Sequence, residues 1–255
     1  MGLKKRGVMK VLIIIMSLLC PLSLYPIKII GHRGACGYAP ENTLSSFAKA
    51  IGCNVDMVEF DVRRCASGEL VVFHDAKIDR ITDGCGYVAL QTLHELKQLR
   101  ILESETIPTL QEVLDFIDHR VKVYIELKDL NIVYDVLQMI DYFVHCKQWH
   151  YDDFLIASFD HTQLQAVKMV NKNIAVAVLT YGIPVHFGAC AAEINAEIVC
   201  LDMEFITQEF VHDIHSRGML VYVYTVNDSE DLIRILGYKV DGIITDYPDY
   251  VRTLV

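Results

Sequence analysis

The sequence predicts an α/β protein built as a closed (β/α)8 TIM barrel, and three observations predict it. Short β-rich apolar runs alternate with helical patterns over roughly 220 residues, the size and rhythm of that fold. With one exception, the segments between runs are long enough for helical crossovers joining parallel strands. Polar and titratable residues gather at the C-terminal ends of the runs, where such barrels carry their reactive groups. A doubly wound open sheet is the alternative architecture for the same alternation.

The elements follow in order. Residues 27–31 form a β-rich run ending in Gly31-His32-Arg33-Gly34, and a helix pattern follows over 43–51, entered through Pro40-Glu41-Asn42 with Asn42 as its N-cap. A strand is expected over 57–62 and a further β-like run over 70–74. Helical patterns cover 92–99 and 109–117, the second opened by the capping box Thr109-x-x-Glu112. Strand 121–127, helix 133–143, strand 154–159, helix 162–170 and strand 174–179 come next. Strand 197–201, helix 208–216, strand 220–226, helix 229–236 and strand 242–245 complete the series. That makes nine β-like runs, one too many for eight strands. The run at 70–74 resolves the excess. Only residues 63–69 separate it from the strand before it, whereas a parallel neighbour needs a crossover of about a dozen residues or more. It therefore folds back as an extra antiparallel hairpin arm after the second strand. A turn centred on Ser67-Gly68 pairs residues whose numbers sum to about 135, which sets His74 opposite Asp61. Residues 75–107 remain as a short insertion capping the mouth.

Composition narrows the function. The 255 residues are 53% hydrophobic and 22% charged, enough apolar surface for a sizeable core. The net charge of −10 argues against a nucleic-acid partner, which would call for a basic face. It also means that an anionic substrate has to be drawn in by a local cation. Lys4, Lys5, Arg6 and Lys10 precede an apolar run over 11–24, the layout of an export signal. Residues 1–26 are therefore expected to act as a signal peptide or an uncleaved membrane anchor. Residues 27–255 form the barrel, in an exported, periplasmic or envelope-associated protein that meets the membrane only through that segment. The eight cysteines include no C-x-x-C pair and no zinc-finger spacing.

The chemistry is expected at the strand ends. Glu59 and Asp61 lie two apart on a strand, so both point to one face, the lumen if Met57, Val58, Phe60 and Val62 pack outward or at the strand ends. Glu126 and Lys128 repeat that spacing. Three carboxylates converging at one mouth repel each other unless a cation sits among them, and all-oxygen ligation favours a hard ion, Mg²⁺ or Ca²⁺. The other reading of the same residues pairs Glu126 with Lys128 or Arg33 and needs no metal. His32 and His74 suit an acid and a base for displacement at phosphorus, or are held inertly by backbone groups. Arg33 and Lys128 bind a phosphate, or bridge to the carboxylates. Asn227-Asp228-Ser229 is both a glycosylation sequon and a helix-entry loop.

Together these residues resemble the glycerophosphodiester phosphodiesterase family. The matching pieces are Gly31-His32-Arg33-Gly34, Pro40-Glu41-Asn42-Thr43, Glu59-Phe60-Asp61-Val62, His74-Asp75 and Arg80-x-Thr82-x-Gly84-x-Gly86. They continue with Ile107-Pro108-Thr109-Leu110, Glu126-Leu127-Lys128, Ser158-Phe159, Thr225-Val226-Asn227-Asp228 and Gly242-Ile243-Ile244-Thr245-Asp246. They run in order from about Lys28 to Tyr250. One departure is visible: the family usually has Trp before the Thr-Val-Asn, and here it is Tyr224.

The resemblance implies a barrel of the phosphoinositide-phospholipase-like kind, with a divalent cation held by Glu59, Asp61 and Glu126. It implies His32 and His74 as the acid–base pair and Arg33 and Lys128 as phosphate ligands, with Tyr224 and Asn42 as pocket residues. The expected reaction is hydrolysis of a small glycerophosphodiester to sn-glycerol 3-phosphate and an alcohol. Two other functions fit the same residues: a related phospholipase D-like lyase acting on lysophospholipids, and a non-catalytic envelope binding barrel.

Overall fold

A computed structural model of the protein describes residues 27–102 and 104–255, so the expected export segment at 1–26 lies outside the described residues. Strand β1 is Lys28–Gly31, helix α1 Leu44–Gly52, β2 Met57–Arg64 and β3 Leu70–Val72. Helices α2 (Leu93–Leu96) and α3 (Leu110–Ile117) precede β4 (Lys122–Leu127), α4 (Val133–Cys146), β5 (Phe154–Ser158), α5 (His161–Val170) and β6 (Ala175–Thr180). Then come α6 (Ala189–Glu193), β7 (Ile198–Asp202), α7 (Gln208–Ser216), β8 (Leu220–Tyr224), α8 (Ser229–Leu236), β9 (Gly242–Thr245) and α9 (Pro248–Arg252).

Eight of these strands pair parallel around a closed ring, in the order β1-β9-β8-β7-β6-β5-β4-β2 and back to β1. The expected (β/α)8 barrel is therefore what the chain forms. The ninth strand, β3, runs antiparallel on β2, as crossover length required. Its register is one residue tighter than expected: Val62 faces Val72 and Arg64 faces Leu70, numbers that sum to 134. The Cys65 N–H donates to the Glu69 carbonyl at 3.0 Å, closing a three-residue loop centred on Ser67. Gly68, at φ +102°, makes the left-handed step such a loop needs. Phe73, not His74, therefore stands opposite Asp61, its N–H on the Asp61 carbonyl at 3.0 Å.

Strand period sorts the side chains. Val58, Phe60 and Val62 of β2, with Val123, Ile125 and Leu127 of β4, face outward into a helix-covered core shared with Leu114, Ile117 and Phe143. Ile30, Tyr124, Leu155, Ala157, Cys200, Tyr222 and Ile244 fill the lumen. The 75–107 segment carries a satellite core of Ile78, Ile81, Val88, Leu96, Ile101 and Ile107 against Val71 and Phe73 of the hairpin arm.

Some local expectations give way. The cap of α1 is Thr43, whose hydroxyl accepts from the Ser46 N–H, because Asn42 turns left-handed and spends its side chain elsewhere. The helix expected over 92–99 shrinks to α2, and β8 stops at Tyr224. Asn227-Asp228-Ser229 is a helix entry, with Asp228 accepting from the Glu230 and Asp231 N–H groups. Among the described residues no helix is long and apolar enough to cross a membrane. The capping box of α3 is present in full, so Thr109→Ala should cost about 1 kcal/mol in urea unfolding; an unchanged midpoint would contradict that role.

Candidate active site

The lumen's upper end is ringed by charge. Outward packing of Val58, Phe60 and Val62 leaves Glu59 and Asp61 nowhere but inside, at 4% and 1% exposure. The β2–β4 register then sets Asp61 beside Glu126 and Glu59 beside Tyr124. Carboxylate oxygens of Glu59, Asp61 and Glu126 all lie within 4.8 Å of one another. Each has a fixed partner. Arg33, at φ +49°, aims its N–H at Glu59 Oε2 at 2.6 Å. Gly34 follows at φ +91°, and a Cβ there would sit 2.3 Å from Ser46 Oγ, so this bend admits no side chain. Asn42, which the sequence suggested as a pocket residue, is fully buried behind Asp61; its amide donates to Asp61 Oδ2 at 2.8 Å. Lys128 Nζ lies 2.7 Å from Glu126 Oε1 and 3.3 Å from Asp61 Oδ1, and Arg33 Nε lies 3.5 Å from Asp61 Oδ2.

Two cations do not neutralise this cluster evenly. Burial, then the charges of Asp61 and Glu126, push Glu59 well above the ordinary carboxylate range. Burial and Asp61 push Glu126 up to about 7. Asp61 is lowered instead: burial raises it, but Lys128, Arg33 and His74 together outweigh that. Burial and mutual repulsion thus raise the affinity of Glu59 and Glu126 for positive charge. An all-oxygen donor set with raised affinity for positive charge fits a hard ion.

The two histidines are mounted alike. His32 follows β1, and its Nδ1 lies 2.6 Å from Asp246 Oδ1 at the end of β9. Asn227 clamps Asp246, its amide donating to Oδ2 at 2.7 Å and its own oxygen accepting the Asp246 N–H at 2.9 Å. Burial would raise Asp246, but hydrogen bonds from His32, Cys36 and Asn227 hold it at about 2. Asp246 accepts from Nδ1–H, and in the neutral ring that tautomer puts the lone pair on Nε2. His74 Nδ1 lies 2.5 Å from Asp75 Oδ1, and Arg80 Nε donates to the other Asp75 oxygen at 2.6 Å. Arg80 also forks onto Glu41 at 2.9 and 2.6 Å, and Glu41 accepts from Arg33 at 2.8 Å. Burial, helped by Arg33 and Lys128, lowers His74 against the pull of Asp61 and Asp75.

All of this opens into one cleft. His32, Glu59, Tyr124, Glu126, Leu179 and Ile244 line its floor. His74, Arg33, Lys128, Asp202, Phe159 and Tyr224 line its mouth, where the cavity is about 390 Å³, within the range of small-ligand sites. Tyr224 sits there as expected, its hydroxyl donating to the Thr180 carbonyl at 3.1 Å. The Tyr124 side chain is buried on the floor, in the lumen cluster that also holds Cys200. Sequence reasoning assigned no part to Asp246, Asp75, Arg80, Glu41 or Tyr124. The first four were visible only as motif letters, while Tyr124 could have been found by its spacing of two from Glu126.

Residues 32–250 match the glycerophosphoryl diester phosphodiesterase family. The chain belongs to that family. Glycerophosphodiester phosphodiesterases of Caldanaerobacter subterraneus and Bacillus subtilis are 32% identical over 236 residues and 31% over 250. These alignments cover 89% and 88% of this chain, and 97% and 84% of theirs. Among solved structures, an Oleispira antarctica phosphodiesterase in complex with the product sn-glycerol-3-phosphate superposes with a TM-score of 0.82 at 29% identity. That match covers 89% of this chain and 96% of the other. The Thermotoga maritima glycerophosphodiester phosphodiesterase gives a TM-score of 0.76 at 26% identity, over 91% and 100% of the two chains. The chain is accordingly an enzyme of phosphodiester hydrolysis.

The carboxylate shifts have a measurable sign. Glu126 is raised in the fold, so without a cation its stabilisation is full below its ordinary 4.5 and is lost as pH climbs through about 7. Asp246, lowered to about 2, stabilises above its ordinary 3.8 and loses that on acidification. In chelator the melting temperature should fall as pH is raised through about 7, and a divalent cation should remove the fall; a flat profile in chelator would contradict the buried triad.

Proposed function

We propose that the enzyme hydrolyses glycerophosphodiesters to sn-glycerol 3-phosphate and an alcohol, using His32 and His74 as the acid–base pair and one divalent cation, Mg²⁺ or Ca²⁺, at Glu59, Asp61 and Glu126. The observation that carries this reading is the matched mounting of two imidazoles, each with Nδ1 on a carboxylate, at one cleft that also holds two cations. The solved relative with bound sn-glycerol-3-phosphate supports the product.

The chain's own groups divide the work as follows. Arg33 and Lys128 draw the phosphate to the mouth and offset charge building on its oxygens. When bound, the cation would act as Lewis acid and template for a phosphoryl oxygen. His32, held with its Nε2 lone pair outward by Asp246, takes the proton of the nucleophile. His74, oriented by Asp75, gives a proton to the leaving alkoxide, and the cations beside it favour that release. The nucleophile is water or the neighbouring glycerol hydroxyl; the second is already tethered and so holds an entropic advantage. Trapping a cyclic glycerophosphate in quenched reactions distinguishes the two.

A second reading has one observation behind it. Leu130, Phe159, Tyr181, Ile183 and Val185 stand exposed on the loops after β4, β5 and β6, at the end of the barrel where the cleft opens. Such a rim suits a lysophospholipid's acyl chain. Assaying lysophosphatidylcholine beside glycerophosphocholine decides between them.

Release of sn-glycerol 3-phosphate from glycerophosphocholine should stop in EDTA and return on adding Mg²⁺ or Ca²⁺. His32→Ala and His74→Ala should each lower kcat by roughly 10²–10⁴-fold. Asp246→Asn should lower kcat with KM little changed, because it releases the ring's tautomer and not the phosphate. Full activity in either histidine variant, or hydrolysis untouched by the chelator, would defeat the proposal.

A further inference from the structure

We propose that His32, Cys36 and Asp246 form a second metal site, suited to a thiophilic ion such as Zn²⁺, and that an ion bound there switches the enzyme off. Cys36 stands four residues beyond His32, in the loop that leads from β1 to α1. Its thiol lies 2.9 Å from Asp246 Oδ1 and 3.8 Å from His32 Nδ1, and Nδ1 to Oδ1 is 2.6 Å. A tetrahedral Zn²⁺ with ordinary bonds spaces its ligand atoms about 3.3–3.7 Å apart. The three atoms therefore need to move by less than about an ångström, and what holds them closer now are hydrogen-bond protons that a metal replaces.

The donor set separates this site from the triad. Sulfur, imidazole nitrogen and one carboxylate oxygen select a borderline-soft ion, whereas three carboxylates select a hard one. The ligands are also backed from behind. Asn227 holds the other Asp246 oxygen at 2.7 Å, leaving Oδ1 turned toward Cys36 and His32. The Gly37 N–H donates to the Asp246 carbonyl at 3.1 Å, tying the Cys36 loop to the same strand end. All three residues are only partly buried, so an ion and a fourth, water ligand have access to them.

The protonation changes explain the inhibition. On binding, the Cys36 thiol proton leaves to solvent and a sulfur–metal bond forms. The His32 proton moves from Nδ1 to Nε2 as Nδ1 takes up the metal, and Asp246 Oδ1 exchanges its hydrogen bonds for the third bond. His32 Nε2 then carries a hydrogen and has no lone pair to accept one. The loss of activity rests on the proposed role of His32; the metal site itself does not.

The test uses the full chain, stripped of metal and supplied with saturating Mg²⁺. Co²⁺ serves as spectroscopic probe, since a thiolate ligand gives a sulfur-to-cobalt charge-transfer band that an all-carboxylate site lacks. The wild-type protein should show that band and Cys36→Ser should not; Cys36→Ala, checked for the same fold by circular dichroism, repeats the comparison. Added Zn²⁺ should inhibit the wild type reversibly, and the inhibiting concentration should rise roughly tenfold or more in Cys36→Ser, each protein compared with its own zinc-free rate. A band absent from the wild type, or unchanged in Cys36→Ser, overturns the site. Zinc inhibition of equal strength in both proteins overturns the switch and moves the inhibiting ion elsewhere. If neither protein hydrolyses a diester, the cobalt band still decides the site while the proposed reaction fails separately.

Discussion

Buried like charge governs this molecule. Three carboxylates share the end of a closed barrel because strand alternation allows them no other direction, and no packing of that lumen relieves their repulsion. The surroundings are arranged around it. Arg33 and Lys128 lean in from neighbouring strand ends, Asn42 gives up a helix cap to hold Asp61, and a left-handed bend delivers a backbone N–H to Glu59. Part of that repulsion survives these contacts, and burial with the neighbouring carboxylates still raises Glu59 and Glu126.

The histidines show the complementary strategy. Each ring is gripped on one nitrogen by a carboxylate that is itself gripped, by Asn227 behind Asp246 and by Arg80 behind Asp75. Arg80 continues to Glu41 and so to Arg33, which joins the insertion, the hairpin arm and the β1–α1 loop in one ionic chain. Orientation comes from polar groups at loop ends, while the strands beneath supply rigidity.

Much of this was legible in the sequence, for local reasons. Alternating apolar runs gave away the barrel, and a seven-residue gap too short for a crossover identified the β3 arm. Period two on β2 and β4 placed the triad and Lys128. What stayed hidden depended on geometry without a periodic signature. The hairpin register slipped by one because its loop holds an odd number of residues. Asn42 and Thr43 are both good caps, and only the pull of Asp61 decides between them. The partner of His32 could not be read at all, since nothing local marks a contact across 214 residues.

That span ties the orientation of the His32 ring to closure of the barrel. His32 follows β1 and Asp246 follows β9, the strands whose pairing closes the ring. During synthesis the imidazole emerges well before the carboxylate that orients it, and the two meet only when β9 has docked against β1. The orientation of that ring is thus settled late, together with closure of the barrel.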